Sequence, residues 1–147
     1  MISNQSDKRG EMEEKYLFDT DTITNILKRK PSEKLVARLG TLRKSQQHIT
    51  TTTVAEIVYG AYKSSKPSFH IERLEKILMP AVNILSFDSK SSYICGRLRA
   101  ELEKTGQCLS LADLEIASIA LADDMILISG NLKHFKRIKP LNVENWI

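Results

Sequence analysis

This sequence is short of the residues that build zinc sites and disulfide frameworks. Its two cysteines, Cys95 and Cys108, have neither metal-ligand nor disulfide spacing. The three histidines, His48, His70 and His134, are scattered and have no zinc-ligand spacing. The sequence therefore excludes a zinc-centred or disulfide-stapled domain. It predicts reduced thiols, with Cys95 as an ordinary core residue in an apolar helical stretch.

Long apolar runs and familiar loop motifs are also missing. No apolar segment approaches membrane-spanning length, and the first dozen residues lack the apolar stretch of a signal peptide. The glycines form no phosphate-cradling loop, and there is no elbow motif of a serine hydrolase. These absences predict a soluble cytoplasmic protein with no membrane partner, and they leave no candidate for a protein nucleophile.

The length and the charge distribution predict one domain after a polar leader. The chain has 147 residues, enough for a single domain with a proper core. Residues 1–14 carry two basic and four acidic side chains, a net charge of −2. Since the whole chain has a net charge of +4, the remaining residues carry +6. We expect residues 1–14 to be a disordered leader or a cloning remnant, and residues 15–147 to form the domain. The positive surplus is compatible with a polyanionic partner such as nucleic acid.

Short apolar runs alternate with amphipathic segments along the whole domain. Strands are predicted at residues 16–19, 48–50, 82–87, 125–128 and 142–147. Helices are predicted from Asp21 or Thr22 to residue 29, from Pro31 through Leu42, and over residues 51–62, 67–78, 89–105 and 131–135. A further helix, which contains Asp113, is predicted to start at Ser110. This alternation is typical of an α/β fold, in which helices cover both faces of a parallel sheet.

Lone acidic residues occur at the ends of apolar elements or on their apolar faces. Asp19 closes the first strand, while Glu56 and Asp113 lie on otherwise apolar helix faces. Ser129 and Asn131 follow the fourth strand, at the edge where sites form in parallel sheets. Burying carboxylates is costly without a compensating cation. The pattern therefore predicts an oxygen-rich site that suits Mg²⁺ or Mn²⁺.

Each candidate also has a structural explanation that the sequence leaves open. Asp19 could only cap the next helix, and Glu56 could form an ordinary surface pair with Lys63. Asp113 could serve the helix dipole, and Asn131 could be a helix cap. Asp21 could cap a helix, lie near the metal or be solvated.

Three further features bear on the site. Ser129 could support the carboxylates by hydrogen bonding, whereas Glu115 is expected to be solvated. Gly60, costly inside a helix, predicts close approach of another backbone or a ligand. Trp146 is more typical of a core anchor than of a base-stacking platform. A basic run beside Asn131 is either a solvated face or a contact for a phosphate backbone. The candidates for contact with the backbone are Lys133, Lys136 and Arg137.

Taken together, these segments resemble the PIN domain, and within it the VapC ribonuclease toxins of toxin–antitoxin systems. The resemblance runs from about Tyr16 to Trp146. It is carried by Leu17-Phe18-Asp19-Thr20-Asp21, Thr53-Val54-Ala55-Glu56-Ile57-Val58-Tyr59-Gly60, Leu111-Ala112-Asp113-Leu114-Glu115-Ile116-Ala117, Ile126-Leu127-Ile128-Ser129-Gly130-Asn131, His134-Phe135-Lys136-Arg137-Ile138 and Val143-Glu144-Asn145-Trp146.

The resemblance implies a fold, an activity and partners. The fold would be a PIN-like three-layer α/β/α sandwich with a central, mostly parallel sheet. The activity would be Mg²⁺- or Mn²⁺-dependent cleavage of RNA, with Asp19, Glu56 and Asp113 as metal ligands and Asn131 in the position of a fourth acid. The partners would be a VapB-like antitoxin and a second copy of the chain. Apolar residues on two helices of the first half also favour a homodimer, because a monomer would leave them exposed. They are Val54, Ile57, Val58 and Tyr62 on one helix, and Phe69, Ile71, Leu74, Ile77 and Leu78 on the other.

Two other functions are compatible with the sequence. One is a PIN-like nuclease that acts in RNA processing outside toxin–antitoxin systems. The other is a catalytically silent module that holds nucleic acid through its basic run, although the presence of all three acids argues against it. Metal-dependent cleavage by the purified protein separates the nucleases from the silent module.

Overall fold

The computed structural model describes residues 13–147. The expected leader therefore lies outside the described residues, except for Glu13 and Glu14. The Glu14 carboxylate accepts a hydrogen bond from the Tyr16 hydroxyl at 2.8 Å, and Glu13 accepts one from Ser45 Oγ at 3.1 Å. Glu13 also forms an ion pair with Arg43. These contacts attach the start of the described chain to the first strand and to the loop before the second.

A five-stranded parallel sheet forms the centre of the fold. The strands are β1 (Tyr16–Phe18), β2 (Gln47–Thr50), β3 (Asn83–Leu85), β4 (Ile126–Ile128) and β5 (Val143–Glu144). Their spatial order is β3-β2-β1-β4-β5, and every neighbouring pair is parallel. The carboxyl ends of all strands therefore lie at one edge of the sheet, with β1 in the middle. The predicted parallel α/β sheet is confirmed.

Seven α-helices connect the strands within the described residues. They are α1 (Thr20–Ile26), α2 (Glu33–Leu39), α3 (Thr51–Lys63), α4 (Pro67–Arg73), α5 (Ser89–Lys104), α6 (Leu111–Ala122) and α7 (Leu132–Phe135). A 3-10 turn at Lys44–Gln46 precedes β2, and a π turn at Leu74–Leu78 followed by a 3-10 turn at Met79–Ala81 continues α4. Side chains of Thr50, Asp88 and Ser110 cap α3, α5 and α6, because each accepts a hydrogen bond from a first-turn amide.

Several predicted element boundaries were wrong. The first helix starts one residue after Asp19, which is its cap instead of Asp21 or Thr22, and it ends at Ile26 because Lys28 N bonds to Asn25 O in a tight closing turn. The helix predicted over residues 67–78 is α-helical only to Arg73. The two outer strands are shorter than predicted, since each pairs with one neighbour only.

Alternating strand residues divide the core into two layers. Leu17 and Leu127 point to one face, where they pack with buried residues of α5, α6 and α7. Phe18 and Ile128 point to the opposite face, where they meet residues of α1 and α2, the π turn and the chain end. This two-residue alternation follows from strand geometry and produces the α/β/α sandwich.

The chain end closes the second layer. Trp146 is buried, and its ring lies edge-on to Tyr16 with centroids 4.8 Å apart. The guanidinium of Arg38 lies 4.5 Å from the centroid of the same ring. Trp146 is therefore a core anchor, as predicted, and Cys95 is a buried core residue. Within residues 13–147, no helix is both long and apolar enough to cross a bilayer.

Candidate active site

The site forms at the carboxyl ends of the two central strands. Strand β1 pairs with β4 so that Phe18 lies opposite Ile128. The next residues, Asp19 and Ser129, are consequently neighbours, and Asp19 N donates to Ile128 O at 2.9 Å. Both side chains are buried. A carboxylate and a hydroxyl that are distant in the sequence are thus brought together by strand register.

Asp19 is buried and partly satisfied by local hydrogen bonds. Ser129 Oγ donates to its Oδ2 at 2.8 Å, and Thr20 N donates to its Oδ1 at 2.8 Å. Burial is the main cause that raises the pKa of Asp19 to about 6, and the negative charges of Asp21 and Asp113 raise it further. The hydrogen bonds from Ser129 and Thr20 oppose this shift but do not cancel it. Asp19 therefore caps α1 and also carries insufficiently compensated charge.

Glu56 contacts the hydroxyl group of Thr20, a residue that the sequence did not indicate as part of the site. Its carboxylate is exposed on α3 and accepts a hydrogen bond from Thr20 Oγ1 at 2.6 Å. The Thr20 hydroxyl also lies 3.1 Å from Thr53 Oγ1, whose own neighbour is the cap residue Thr50. The only available signal was the position of Thr20 directly after Asp19.

The surface-pair explanation for Glu56 is not observed. Within the described chain, Glu56 forms no ion pair. Lys63 instead places its ammonium group 5.2 Å from the centroid of the Tyr59 ring. The Glu56 carboxylate is therefore held by Thr20 alone and remains available to a ligand.

Asp113 lies in the first turn of α6 and faces the Asp19 pocket. Its backbone N–H donates to the cap hydroxyl of Ser110 at 3.2 Å. Its half-buried carboxylate raises the pKa of Asp19, so the two charges act on one another. Asp113 Oδ2 also lies 3.9 Å from Nδ1 of His134, and this nitrogen is enclosed without a hydrogen-bond partner among the described residues. From the sequence, His134 was one of three scattered histidines, and its approach to Asp113 was not predicted.

Asp21 fastens the loop after β4 to α1. Its Oδ2 accepts a hydrogen bond from Gly130 N at 2.9 Å. A Cβ atom at position 130 would lie 2.7 Å from that oxygen, so only glycine allows the contact without a shift. Asn131 N donates to Ser129 Oγ at 2.9 Å, and the Asn131 side chain is exposed. Asn131 occupies the N-cap position of α7, as the cap explanation expected, but its side chain makes no cap hydrogen bond.

The three basic candidates differ in their surroundings. Lys133 and Lys136 are exposed on or just after α7. Arg137 is half-buried and donates to the backbone oxygen of Cys108 at 3.0 Å. Phe135 is completely buried, and it anchors α7 beside the acidic residues. The two lysines are therefore better placed than Arg137 to reach a phosphate backbone.

The acids of the site have the charge that a divalent cation needs, but they are not close enough together to form a complete binding site. Among residues 13–147, no three His, Cys, Asp or Glu side chains lie together closely enough to bind one ion. The pKa of Asp19, however, is raised mainly by burial and further by the charges of Asp21 and Asp113, and a bound cation would compensate both effects. By donor type, the carboxylates of Asp19, Asp113 and Glu56 all suit a Mg²⁺ or Mn²⁺ ion.

One acid behaves differently from the sequence expectation. Glu115 is half-buried and accepts a hydrogen bond from Thr52 Oγ1 at 2.9 Å. The expectation that Glu115 would be solvated was wrong, because α6 packs against the start of α3. Glu115 thereby links the two helices that carry Asp113 and Glu56.

Comparisons of sequence identify the family. The PIN domain model matches residues 16–140. Ribonuclease VapC2 of Haemophilus influenzae is 35% identical over 133 residues, which are 90% of this chain and 98% of that protein. The tRNA(fMet)-specific endonuclease VapC of Salmonella typhimurium is 30% identical over 132 residues, which are 90% of this chain and 98% of that protein.

Solved structures give the same result. VapBC2 from Rickettsia felis, bound to a DNA fragment from its promoter, matches with a TM-score of 0.82 and 33% identity over 90% of this chain and 98% of that chain. DNA-bound VapBC from Salmonella typhimurium matches with a TM-score of 0.84 and 30% identity over 91% of this chain and 99% of that chain. This chain belongs to the PIN-domain family and, within it, to the VapC-like proteins.

Proposed function

We propose that this chain is the toxin of a toxin–antitoxin pair and a divalent-metal-dependent endoribonuclease. The observation that carries the proposal is the buried Asp19 carboxylate, whose pKa is raised to about 6 by burial and by neighbouring acids. Full-length relatives at 30–35% identity are called ribonuclease or endonuclease, which supports RNA as the substrate.

Each acid has a distinct role in the proposed reaction. Asp19 and Asp113 would hold the cation, and Glu56 would complete its oxygen ligands. A bound Mg²⁺ or Mn²⁺ ion supplies orientation of the scissile phosphate, activation of water and relief of developing negative charge. Ser129 keeps the Asp19 carboxylate oriented through the 2.8 Å hydrogen bond, and Thr20 does the same for Glu56. Asn131 would contact water or phosphate through its exposed amide.

Cleavage by the purified full-length chain tests the proposal. We expect transfer RNA or total RNA to be cut with Mg²⁺ or Mn²⁺ and to stay intact in EDTA. Sequencing of fragment 5′ ends would then identify the target. Undiminished cleavage in EDTA would refute metal dependence, and intact RNA under all conditions would refute the nuclease.

The proposed protein partner is a VapB-like antitoxin. The support comes from solved neighbours that are VapBC assemblies. An arginine of the antitoxin tail would suit the space among Asp19, Glu56 and Asp113, because its planar guanidinium binds carboxylates in bidentate fashion. Changing that arginine to Ala should weaken inhibition, and excess Mg²⁺ should compete with it. Inhibition by a complex that leaves the acids open would refute this mode.

We also propose a homodimer, on a smaller apolar surface than the sequence indicated. Leu74 and Leu78 belong to the core and cannot contribute to an interface. Tyr62 and Ile77 remain 71% and 46% exposed, so they are the candidates for contact with a second copy. Light scattering at tens of micromolar tests this, and a monomer at that concentration would contradict it.

A further inference from the structure

A groove of about 880 Å³ leads away from the acids between α1, α3 and α4. Thr20 and Glu56 line its inner end, so the groove is continuous with the candidate active site. We call it the basic groove, because five cationic or potentially cationic side chains line it: Lys28, Arg29, Lys66, His70 and Arg73. Of the described residues that line the groove, Glu56 alone is acidic.

The basic side chains of this groove are not neutralised by the protein. Among the described residues, none of the five forms an ion pair. Nearby Lys76, outside the groove, pairs with Glu72 at 2.5 Å. Positive groups gathered without counter-charge attract a polyanion, and the attraction is sensitive to salt.

An aromatic ring stands among these charges. Phe69 is 52% exposed, although it is a large apolar side chain. The Arg73 guanidinium lies 5.6 Å from the centroid of its ring, and the His70 ring meets it edge-on at 5.2 Å. Arg73 is itself fixed by two hydrogen bonds to Leu27 O, of 3.2 and 2.9 Å. An exposed ring held beside cations is the arrangement on which single-stranded nucleic acids stack their bases.

Gly60 leaves open space in the lining of the groove. A Cβ atom added to Gly60 would meet no atom within 4 Å, so the expected close approach of another backbone was wrong. Ile57 and Ala61 supply apolar surface on the same helix. The glycine therefore widens the groove between Phe69 and the Glu56 end.

We propose that the basic groove binds a single-stranded segment of the RNA substrate beside the scissile phosphate. One base stacks on Phe69, and Lys28, Arg29 and Lys66 contact phosphates. This rests on the proposed ribonuclease function. Helix α7, with Lys133 and Lys136, follows β4 on the opposite side of β1 from β2. A strand held in the groove can thus cross Asp19 towards α7. Charge favours RNA over a protein tail, since five basic groups face a single acid.

Binding of an uncleavable RNA tests the groove independently of catalysis. The probe is a short, fluorescein-labelled 2′-O-methyl RNA of mixed sequence, measured by fluorescence anisotropy in EDTA over a range of salt concentrations. The triple variant Lys28→Ala, Arg29→Ala, Lys66→Ala should raise Kd at least about tenfold and lower the salt slope by about 2, as expected for three lost single-strand phosphate contacts. Phe69→Leu should raise Kd roughly 5- to 100-fold without changing the slope.

Matched controls separate the groove from general charge. Arg97→Ala, Arg99→Ala, Lys104→Ala removes the same charge from α5 and should change Kd less than about threefold. The proposal is wrong if both triple variants weaken binding equally, or if neither does. It is also wrong if groove variants bind RNA normally but escape a cognate antitoxin, because the groove then holds protein.

Failure of the groove and failure of the nuclease give different results. A wild-type chain that binds RNA through the groove but cuts nothing with Mg²⁺ or Mn²⁺ would leave the groove supported and overturn the nuclease. A chain that cuts RNA while its folded groove variants bind the probe like wild type would do the reverse. Thermal unfolding of each variant confirms that the exposed substitutions leave the fold intact.

Discussion

Charge is arranged in opposite ways on α5 and at the carboxyl edge of the sheet. On α5, Arg97 and Arg99 each pair with a glutamate one turn later, Glu101 and Glu103, and all four side chains are exposed. At the sheet edge, Asp19 is buried near the charges of Asp21 and Asp113, and no lysine or arginine of residues 13–147 forms an ion pair with it. One surface balances its charge within a helical turn, whereas the other accumulates charge of one sign.

The difference shows where a ligand is expected. Helical pairs such as Arg99–Glu103 arise from spacing alone and contribute little, since exposed ion pairs give about 0–1 kcal/mol. The acids at the sheet edge come from α1, α6 and the end of β1, and packing holds them together despite their repulsion. The fold keeps that unfavourable arrangement only because other contacts offset it, which is typical of functional sites.

The largest expected effect is on catalysis at the sheet edge. Asp113→Asn should lower RNA cleavage by at least roughly 100-fold, since a cation ligand contributes several kcal/mol to transition-state stabilisation. The matched control is Asp123→Asn, at the exposed end of the same helix, which should retain activity. Single-turnover cleavage with excess protein measures both. Equal activity of the two variants would remove Asp113 from the site.

The second prediction concerns stability without metal. Because the folded-state pKa of Asp19 is raised to about 6 from 3.8, the folded chain keeps this proton while the unfolded chain loses it. Stability should therefore fall as pH rises from about 4 to about 6, by about 3 kcal/mol, and then level off. Asp19→Asn should abolish that contribution. Urea unfolding in EDTA between pH 4 and 8 measures it, and parallel curves for the two proteins would contradict it.

The third prediction concerns the hydrogen bond from Ser129 to Asp19, whose loss should alter the pKa of Asp19 and hence the pH dependence of stability. Ser129→Ala removes the hydroxyl that donates to Asp19 Oδ2, and this hydrogen bond lowers the pKa of that carboxyl. The pKa of Asp19 should then rise by about one to two further units, as expected for a hydrogen bond to a charged group. The pH at which the stability levels off should move up by the same amount, because it follows the folded-state pKa, and Ser129→Thr should restore it. An unmoved upper limit in the alanine variant would show that the bond does not tune Asp19.

The smallest effect is expected on α5. Arg99→Ala should change the free energy of unfolding by less than about 0.5 kcal/mol, and added salt should remove even that difference. Urea unfolding at low and high salt provides the measurement. If Arg99→Ala lowered the free energy of unfolding by as much as the Asp19 contribution, the ion pairs on α5 would matter as much as the acids at the sheet edge, and the comparison would fail.

Much of the fold was predictable because it depends on local patterns. The apolar runs at β1 and β4 and the caps at Asp88 and Ser110 are signals within a few residues. Buried parallel strands need apolar residues on both faces, so their existence was clear. Element ends were less predictable, because the residue types do not announce the tight turn after Ile26 or the change from α- to π-helix after Arg73.

The candidate site was predictable only in part. Polar residues at strand ends indicated Asp19 and Ser129, and a lone acid on an apolar helix face indicated Asp113. The contact between Thr20 and Glu56, 36 residues apart, and the approach of His134 to Asp113 depend on how α1, α3, α6 and α7 pack. These contacts depend on the exact positions of the helices, and the residue types alone do not specify those positions.

The sequence by itself determined the α/β class, the two-sided core and the acids that face the sheet edge, since each follows from periodicity or from the cost of burying charge. Only the tertiary structure decided which groups meet. The β1–β4 register placed Ser129 on Asp19, and the packing of α1, α3 and α4 opened the basic groove beside Glu56. The reason is physical: local patterns act over a few residues, whereas hydrogen bonds and charge repulsion depend on distances between elements far apart in the chain.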